Sequence, residues 1–208
     1  MKLQNIIFDL GGVVFARERS KCSEEFLSFF SFVAKTGTPL FWDEYDRGTL
    51  SFDQVKDEIC RFRNCDTDTC ERMLTEAIGK QGEIPSTKAL ITQLKQLGYK
   101  LYVLSNMSRE FIDFLRQQPV YENFDGEVVS CEVGIIKPEP QIYQLLLEKY
   151  GLNPAESLFI DDRPANLETA AKLGISTFLF DSYNAQTSCQ QLNEQLGISN
   201  EQLVMNSE

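Results

Sequence analysis

The chain contains no histidine, which removes Ser-His-Asp triads, His-ligated zinc and imidazole acid/base catalysis from consideration. Its six cysteines (Cys22, Cys60, Cys65, Cys70, Cys131, Cys189) form no Cys-x-x-Cys pair. The even spacing of Cys60, Cys65 and Cys70 therefore reads as reduced, buried or half-buried thiols rather than a metal site. No apolar run approaches membrane-spanning length. Met1-Lys2-Leu3-Gln4-Asn5 lacks the basic stretch, apolar core and small-residue cleavage site of a signal peptide, so a cytoplasmic location is the expectation. Positive charge is scarce: 20 Lys and Arg face 31 Asp and Glu, a net charge of −11. That argues against nucleic acid or an anionic membrane surface as partner, because both need clustered cations. Any pocket for an anion has to be made positive locally.

What is present is the composition of an ordinary globular protein, 42% hydrophobic and 25% charged over 208 residues. Residues 3–8, 100–104, 157–160 and 175–180 read as short buried strands rich in Ile, Leu, Val or Phe. Between them, 86–97, 138–150 and 164–173 carry helical apolar spacing, with Gly98, Gly151 and Gly174 just past their ends as stop signals. Strands alternating with helices predict an α/β fold with a parallel sheet covered on both faces. The stretch between the first strand and Ser86 is too long for a bare loop. Helix-like spacing over 24–33, 52–62 and 69–78 predicts a helical cap inserted there, giving a core of 1–15 and 85–208 and a cap of 16–84. The cap aromatics, Phe26, Phe29, Phe30, Phe32, Phe41, Trp42, Tyr45 and Phe52, are at helical spacing and read first as core. A weak helix is expected around 189–196.

Four short motifs carry chemistry. Asp9 leaves the first strand into Leu10-Gly11-Gly12, Ser105-Asn106 follow Leu101 to Leu104, Lys137 precedes Pro138, and Asp161-Asp162 follow Leu158-Phe159-Ile160. Singly, each has a structural explanation: a turn aspartate, a helix cap, a solvated lysine, an Asx-turn. Together they put a carboxylate nucleophile, a hydroxyl, a cation and an acidic pair on the sheet edge where α/β folds bind ligands. Phosphoryl transfer needs that set, since its catalysis is mainly positioning and charge stabilisation. In that reading Asp9 attacks phosphorus, Ser105 and Lys137 hold phosphate oxygens, and Asp161 and Asp162 help hold a Mg²⁺.

These motifs resemble those of the haloacid dehalogenase-like hydrolase superfamily, which is mostly phosphatases. The most specific stretches are Ser130-Cys131-Glu132-Val133-Gly134-Ile135-Ile136-Lys137-Pro138-Glu139-Pro140 and Leu158-Phe159-Ile160-Asp161-Asp162-Arg163-Pro164-Ala165-Asn166. The resemblance implies a Rossmann-like three-layer core with a parallel sheet and an inserted helical cap subdomain. It implies Asp9 as nucleophile and metal ligand, Ser105, Asn106 and Lys137 on the substrate phosphate, and Asp162 with Asp161 at the metal. It also implies a backbone carbonyl ligand from Gly11, and Asn166 orienting the acidic loop. The expected cofactor is Mg²⁺ and the expected partner a small phosphorylated metabolite. Asp-Leu-Gly at 9–11 and Tyr45-Asp46-Arg47-Gly48-Thr49-Leu50-Ser51 resemble a subgroup that includes bacterial sugar-phosphate phosphatases such as α-glucose-1-phosphatase.

One carboxylate is missing. Most family phosphatases place an Asp two residues after the nucleophile to protonate the leaving group, a contribution of ~10²–10⁴ in rate, and here that position is Gly11. Three functions remain open at this point. The first is a phosphatase for a good leaving group, such as a sugar 1-phosphate, or one with a proton donor from the cap (Glu18, Glu44 or Asp46). The second is a dehalogenase-type hydrolase, and the third a non-catalytic protein that binds a phosphorylated ligand.

Overall fold

The computed structural model describes residues 2–33 and 37–198. Strand β1 (Asn5–Phe8) is buried along its whole length and lies at the centre of a five-stranded sheet. It is flanked by β4 (Lys100–Ser105) and β6 (Ser157–Asp161), with β5 (Gly126–Val129) outside β4 and β7 (Ser176–Leu179) outside β6. Every pairing in this sheet is parallel. Because successive side chains of a strand alternate faces, the run Ile6-Ile7-Phe8 supplies two cores at once. Ile6, Phe8, Leu101, Val103, Leu158 and Ile160 face helix α5 (Pro85–Gln96) and helix α10 (Ala185–Gln195) through Leu90, Leu94 and Leu192. Ile7, Tyr102, Leu104 and Phe159 face α8 (Pro140–Tyr150) and α9 (Pro164–Lys172) through Ile142, Leu146, Leu167 and Ala170. Each such side chain, fully buried, contributes roughly 1.5–3 kcal/mol. The result is the expected three-layer, Rossmann-like core.

The inserted helical cap contains α1 (Glu24–Phe29), α2 (Leu40–Arg47), α3 (Phe52–Arg63) and α4 (Thr67–Gly79). It is reached through β2 (Phe15–Arg17) and left through β3 (Gln81–Glu83), which pair antiparallel as a neck. Helix α3 opens with a capping box: Gln54 N–H donates to Ser51 Oγ, and Ser51 N–H to Gln54 Oε1. Phe26, Phe29, Phe30, Phe32, Trp42 and Tyr45 are buried against Val55, Ile59, Met73 and Leu74, so the cap aromatics are a packed core. The Arg17 guanidinium lies over the rings of Phe26, Phe30 and Phe111 and donates to the Ala77 carbonyl, tying the neck to that core.

Several elements differ from expectation. The helix expected over 24–33 ends at Phe29, because Phe30 leaves helical geometry at φ −96°, ψ 17°. The helix expected from Pro138 starts at Pro140. A proline disfavours helical conformation in the residue before it, and Glu139 accordingly stays extended as N-cap. Helix α2 and strands β2, β3 and β5 were not anticipated, and the weak C-terminal helix is α10, opening at Ala185. The end of the chain, 199–208, lies outside the described residues. Among the described residues no helix is long and apolar enough to cross a membrane.

Candidate active site

Three neighbouring parallel strands deliver their ends to one edge. Phe8 pairs in register with Val103 of β4 and Ile160 of β6, so Asp9 continues level with Leu104 and Asp161, and Ser105, one residue further along β4, reaches back to Asp9 at the C-terminal edge of the sheet. Lys137 reaches them from the loop after α7 (Ser130–Val133). The four side chains form one buried group.

Oδ1 of Asp9 accepts from the Leu10 N–H at 2.7 Å, the Ser105 hydroxyl at 2.9 Å and Lys137 Nζ at 3.0 Å. Oδ2 makes no hydrogen bond among the described residues and keeps its lone pairs for an incoming group. Lys137 Nζ also lies 2.7 Å from Asp161 Oδ2. Burial alone would lower the Lys137 pKa, but Asp161 and Asp9 outweigh it and hold the ammonium above the ordinary lysine value. Its backbone is pinned by a reciprocal pair: Lys137 N–H donates to Asn106 Oδ1 at 2.7 Å, and Asn106 Nδ2 to the Lys137 carbonyl at 2.9 Å. Asn106 is thus turned toward the lysine's main chain.

The two acidic residues of the last motif are held differently. Asp161 is fully buried, with both oxygens engaged by the Arg163 N–H, Asn166 Nδ2 and Lys137. Asp162 is half-buried and makes no hydrogen bond or ion pair among the described residues. Burial, reinforced by Asp9 and Asp161, pushes its carboxyl up to about 7. Gly12 lies against it at φ +79°, where an added Cβ would meet Asp162 Oδ2 at 2.6 Å, so this turn requires glycine. Asp9, Asp161 and Asp162 each offer an oxygen, all within 4.8 Å of one another. An all-oxygen, multiply anionic donor set with an unpartnered carboxylate at its rim fits a hard divalent cation of the Mg²⁺ kind.

The cap closes the other side. The Ser130 hydroxyl donates to the Asp46 carbonyl while accepting from the Met107 N–H, and Arg47 pairs with Glu139 and donates to the Gly134 carbonyl at 3.0 Å. Gly48 ends α2 at φ +81° so close to the core that a Cβ there would lie 2.5 Å from the Cys131 carbonyl oxygen. This clamp seats the last turn of α2, and with it the half-buried Asp46 carboxyl, against the core. Burial, with Asp43 and Asp9 adding to it and Arg163 and the Ser108 N–H opposing, pushes it up to about 7. Of the other cap carboxylates considered from sequence, Glu18 pairs with Lys21 on the surface, both side chains being more than half exposed. The Ser130 contact was not visible in the sequence, although it lies within the motif around Lys137.

Fold and site together define a capped α/β enzyme with a buried carboxylate–cation–carboxylate centre at the sheet edge. The chain belongs to the haloacid dehalogenase-like hydrolase family, whose model matches residues 3–174. It is 27% identical to D-ribitol-5-phosphate phosphatase of Bacteroides thetaiotaomicron over 196 residues, 85% of this chain and 91% of that protein. It is 35% identical over 130 residues to Acyl-CoA dehydrogenase family member 10 of Mus musculus, covering 60% of this chain but only 11% of that much longer protein. Among solved structures, a HAD family enzyme from Bacteroides thetaiotaomicron in complex with magnesium and inorganic phosphate superposes with a TM-score of 0.69 at 26% identity. That match covers 86% of this chain and 95% of the other.

Proposed function

We propose that this protein is a Mg²⁺-dependent phosphatase that hydrolyses a small phosphate ester, a sugar phosphate being the leading class, through an aspartyl-phosphate on Asp9. The observation that carries this reading is the state of Asp9, whose Oδ1 is fixed by Leu10, Ser105 and Lys137 while Oδ2 is free. A carboxylate oriented in this way is a positioned nucleophile. The relative that acts on D-ribitol 5-phosphate and the solved neighbour that holds magnesium and phosphate support the same chemistry. The reading takes 1–15 and 85–208 as catalytic core and 16–84 as cap.

In the first step Asp9 Oδ2 attacks phosphorus and the ester P–O bond breaks. Ser105 and Lys137 hold phosphoryl oxygens, and the leaving alkoxide takes a proton. We assign that proton to Asp46, the cap carboxyl on the turn of α2 that Ser130 and Gly48 seat on the core, which burial pushes up to about 7. In the second step water attacks the phosphoryl group, Asp46 takes its proton, and the P–O bond to Asp9 breaks to release phosphate and restore both carboxyls. Asp9, Asp162 and the Gly11 carbonyl would hold the metal with Asp161 beside them, and when bound it supplies positive charge against the phosphoryl oxygens. Asp161 and Asn106 position Lys137, and Asn166 positions Asp161.

The test is phosphate release from a panel of small esters with and without Mg²⁺, for wild type and Asp9→Asn. Release should require Mg²⁺ and vanish in the variant. No release across the panel at saturating Mg²⁺ would defeat the phosphatase reading, and halide release from a 2-haloacid without Mg²⁺ would replace it with dehalogenase chemistry.

A further inference from the structure

The three cysteines that the sequence spaces evenly converge on one point in the cap. Cys60 lies in the last turn of α3, Cys65 in the connection, and Cys70 in the first turn of α4. Asn64, in left-handed conformation at φ 52°, folds the connection back so that the Cys65 N–H donates to the Cys60 carbonyl. Cys60 Sγ is then 2.9 Å from Cys70 Sγ, and Cys65 Sγ is 3.2 Å from it. All three sulfurs lie within 4.8 Å of one another. Cys70 is fully buried, Cys60 and Cys65 are partly exposed, and the apolar cap core packs around them.

We propose that Cys60, Cys65 and Cys70 form a thiolate site for a soft closed-shell cation, Zn²⁺ or Cu⁺, which staples α3 to α4. Three sulfurs crowded this closely are the donor set such ions select, and one that Mg²⁺ avoids, so the site is chemically orthogonal to the carboxylates around Asp9. Zinc–thiolate bonds of ~2.3 Å at a tetrahedral angle hold sulfurs ~3.8 Å apart. The triad therefore has to open by less than about 1 Å, which the two sulfurs on the turn side can accommodate. The partial exposure of Cys60 and Cys65 gives the ion an entry path and leaves room for water as fourth ligand on Zn²⁺, whereas trigonal Cu⁺ needs only the three sulfurs. Loading displaces the thiol protons to solvent as three S–H bonds give way to three metal–sulfur bonds, so affinity should rise with pH. A disulfide would join only two of the three sulfurs and would require an oxidant.

The full chain, reduced and metal-free, is titrated with Zn²⁺ alone against a chromogenic chelator, with Mg²⁺ in large excess to occupy the carboxylate site. Cu⁺ is tested in a parallel anaerobic arm, and Co²⁺ serves as a spectroscopic probe. We expect one ion per chain, a higher melting temperature on loading, and a thiolate-to-cobalt charge-transfer band. Cys60→Ser and Cys65→Ser, at partly exposed positions, should each weaken binding beyond the roughly 10–100-fold caused by loss of a merely supporting residue. Cys131→Ser, remote from the triad, should leave it unchanged. Absence of the cobalt band together with no Cu⁺ uptake in the anaerobic arm, binding retained in the Cys60→Ser/Cys65→Ser double variant, or four titratable thiols in place of six after purification without reductant would each overturn the proposal. The last result would identify a disulfide instead.

Discussion

The ammonium of Lys137 lies 3.0 Å from the Asp9 carboxylate with only 1% of the lysine side chain exposed. It is the local positive charge that a chain of net charge −11 has to build in order to hold an anion. Lys137→Met should therefore act twice. Activity should fall by more than about 10²-fold, because a fixed charge opposite the phosphoryl oxygens is lost. Stability should fall by about 3 kcal/mol, because two buried carboxylates lose their common partner. Urea denaturation and phosphate release on the same preparations check both, and near-wild-type turnover would contradict the role given to Lys137.

Asp9, Ser105, Asp161 and Asp162 were legible in the sequence because each sits at or just beyond the end of a buried apolar run, and a parallel sheet delivers strand ends to one edge. Lys137, by contrast, comes from the loop after α7 and was marked only by its motif before Pro138. The cap's contribution was not legible. Helix α2 is short, follows Thr38-Pro39 and mixes Phe41 and Trp42 with Asp43 and Glu44, so its pattern does not stand out. Strands β2 and β3 span three residues each, and Gln81-Gly82-Glu83 has no apolar alternation. It is a strand only because Phe15–Arg17, far away in sequence, pairs with it. Asp46 could be named as one cap carboxylate among three. Its position depends on Ser130 and Gly48 seating α2 on the core, which is a tertiary fact.

Asp46→Asn gives a prediction with opposite signs for activity and stability. With an alkyl phosphate the rate should fall by ~10²–10⁴, the usual size of a proton-transfer contribution. With p-nitrophenyl phosphate, whose leaving group needs no proton, a stoichiometric burst should survive. Wild-type rates on the alkyl ester should decline above about pH 7, where Asp46 loses its proton. For stability, the folded-state pKa lies above the ordinary aspartate value of 3.8. The folded state therefore binds the extra proton between about pH 4 and 7, and the stabilisation is lost as pH rises through about 7. Asp46→Asn should accordingly be more stable than wild type at pH 8, measured in chelator, by about 1–2 kcal/mol. That is less than the full shift because the carboxyl is partly hydrated. A variant equally impaired on both esters in the first turnover would remove Asp46 from the proton-transfer step.

Gly11 supplies the converse experiment. An ideal Cβ at this position meets no atom within 4 Å, and Gly11 is not among the glycines with positive φ. A side chain there should fit without moving Asp9 or the Gly12 turn. Gly11→Asp would place a second carboxyl two residues after the nucleophile, where the sequence resemblance leads one to look for it. If the chain lacks only proton transfer at that position, Gly11→Asp in the Asp46→Asn background should recover at least ~10-fold of the lost activity on an alkyl phosphate, a fraction of what a well-placed acid contributes. The recovered activity should still require Mg²⁺ and Asp9. A folded, Mg²⁺-binding double variant with no recovery would mean that the defect at position 46 is not one of proton supply, and that the cap carboxyl acts by holding the substrate or the Ser108 loop instead.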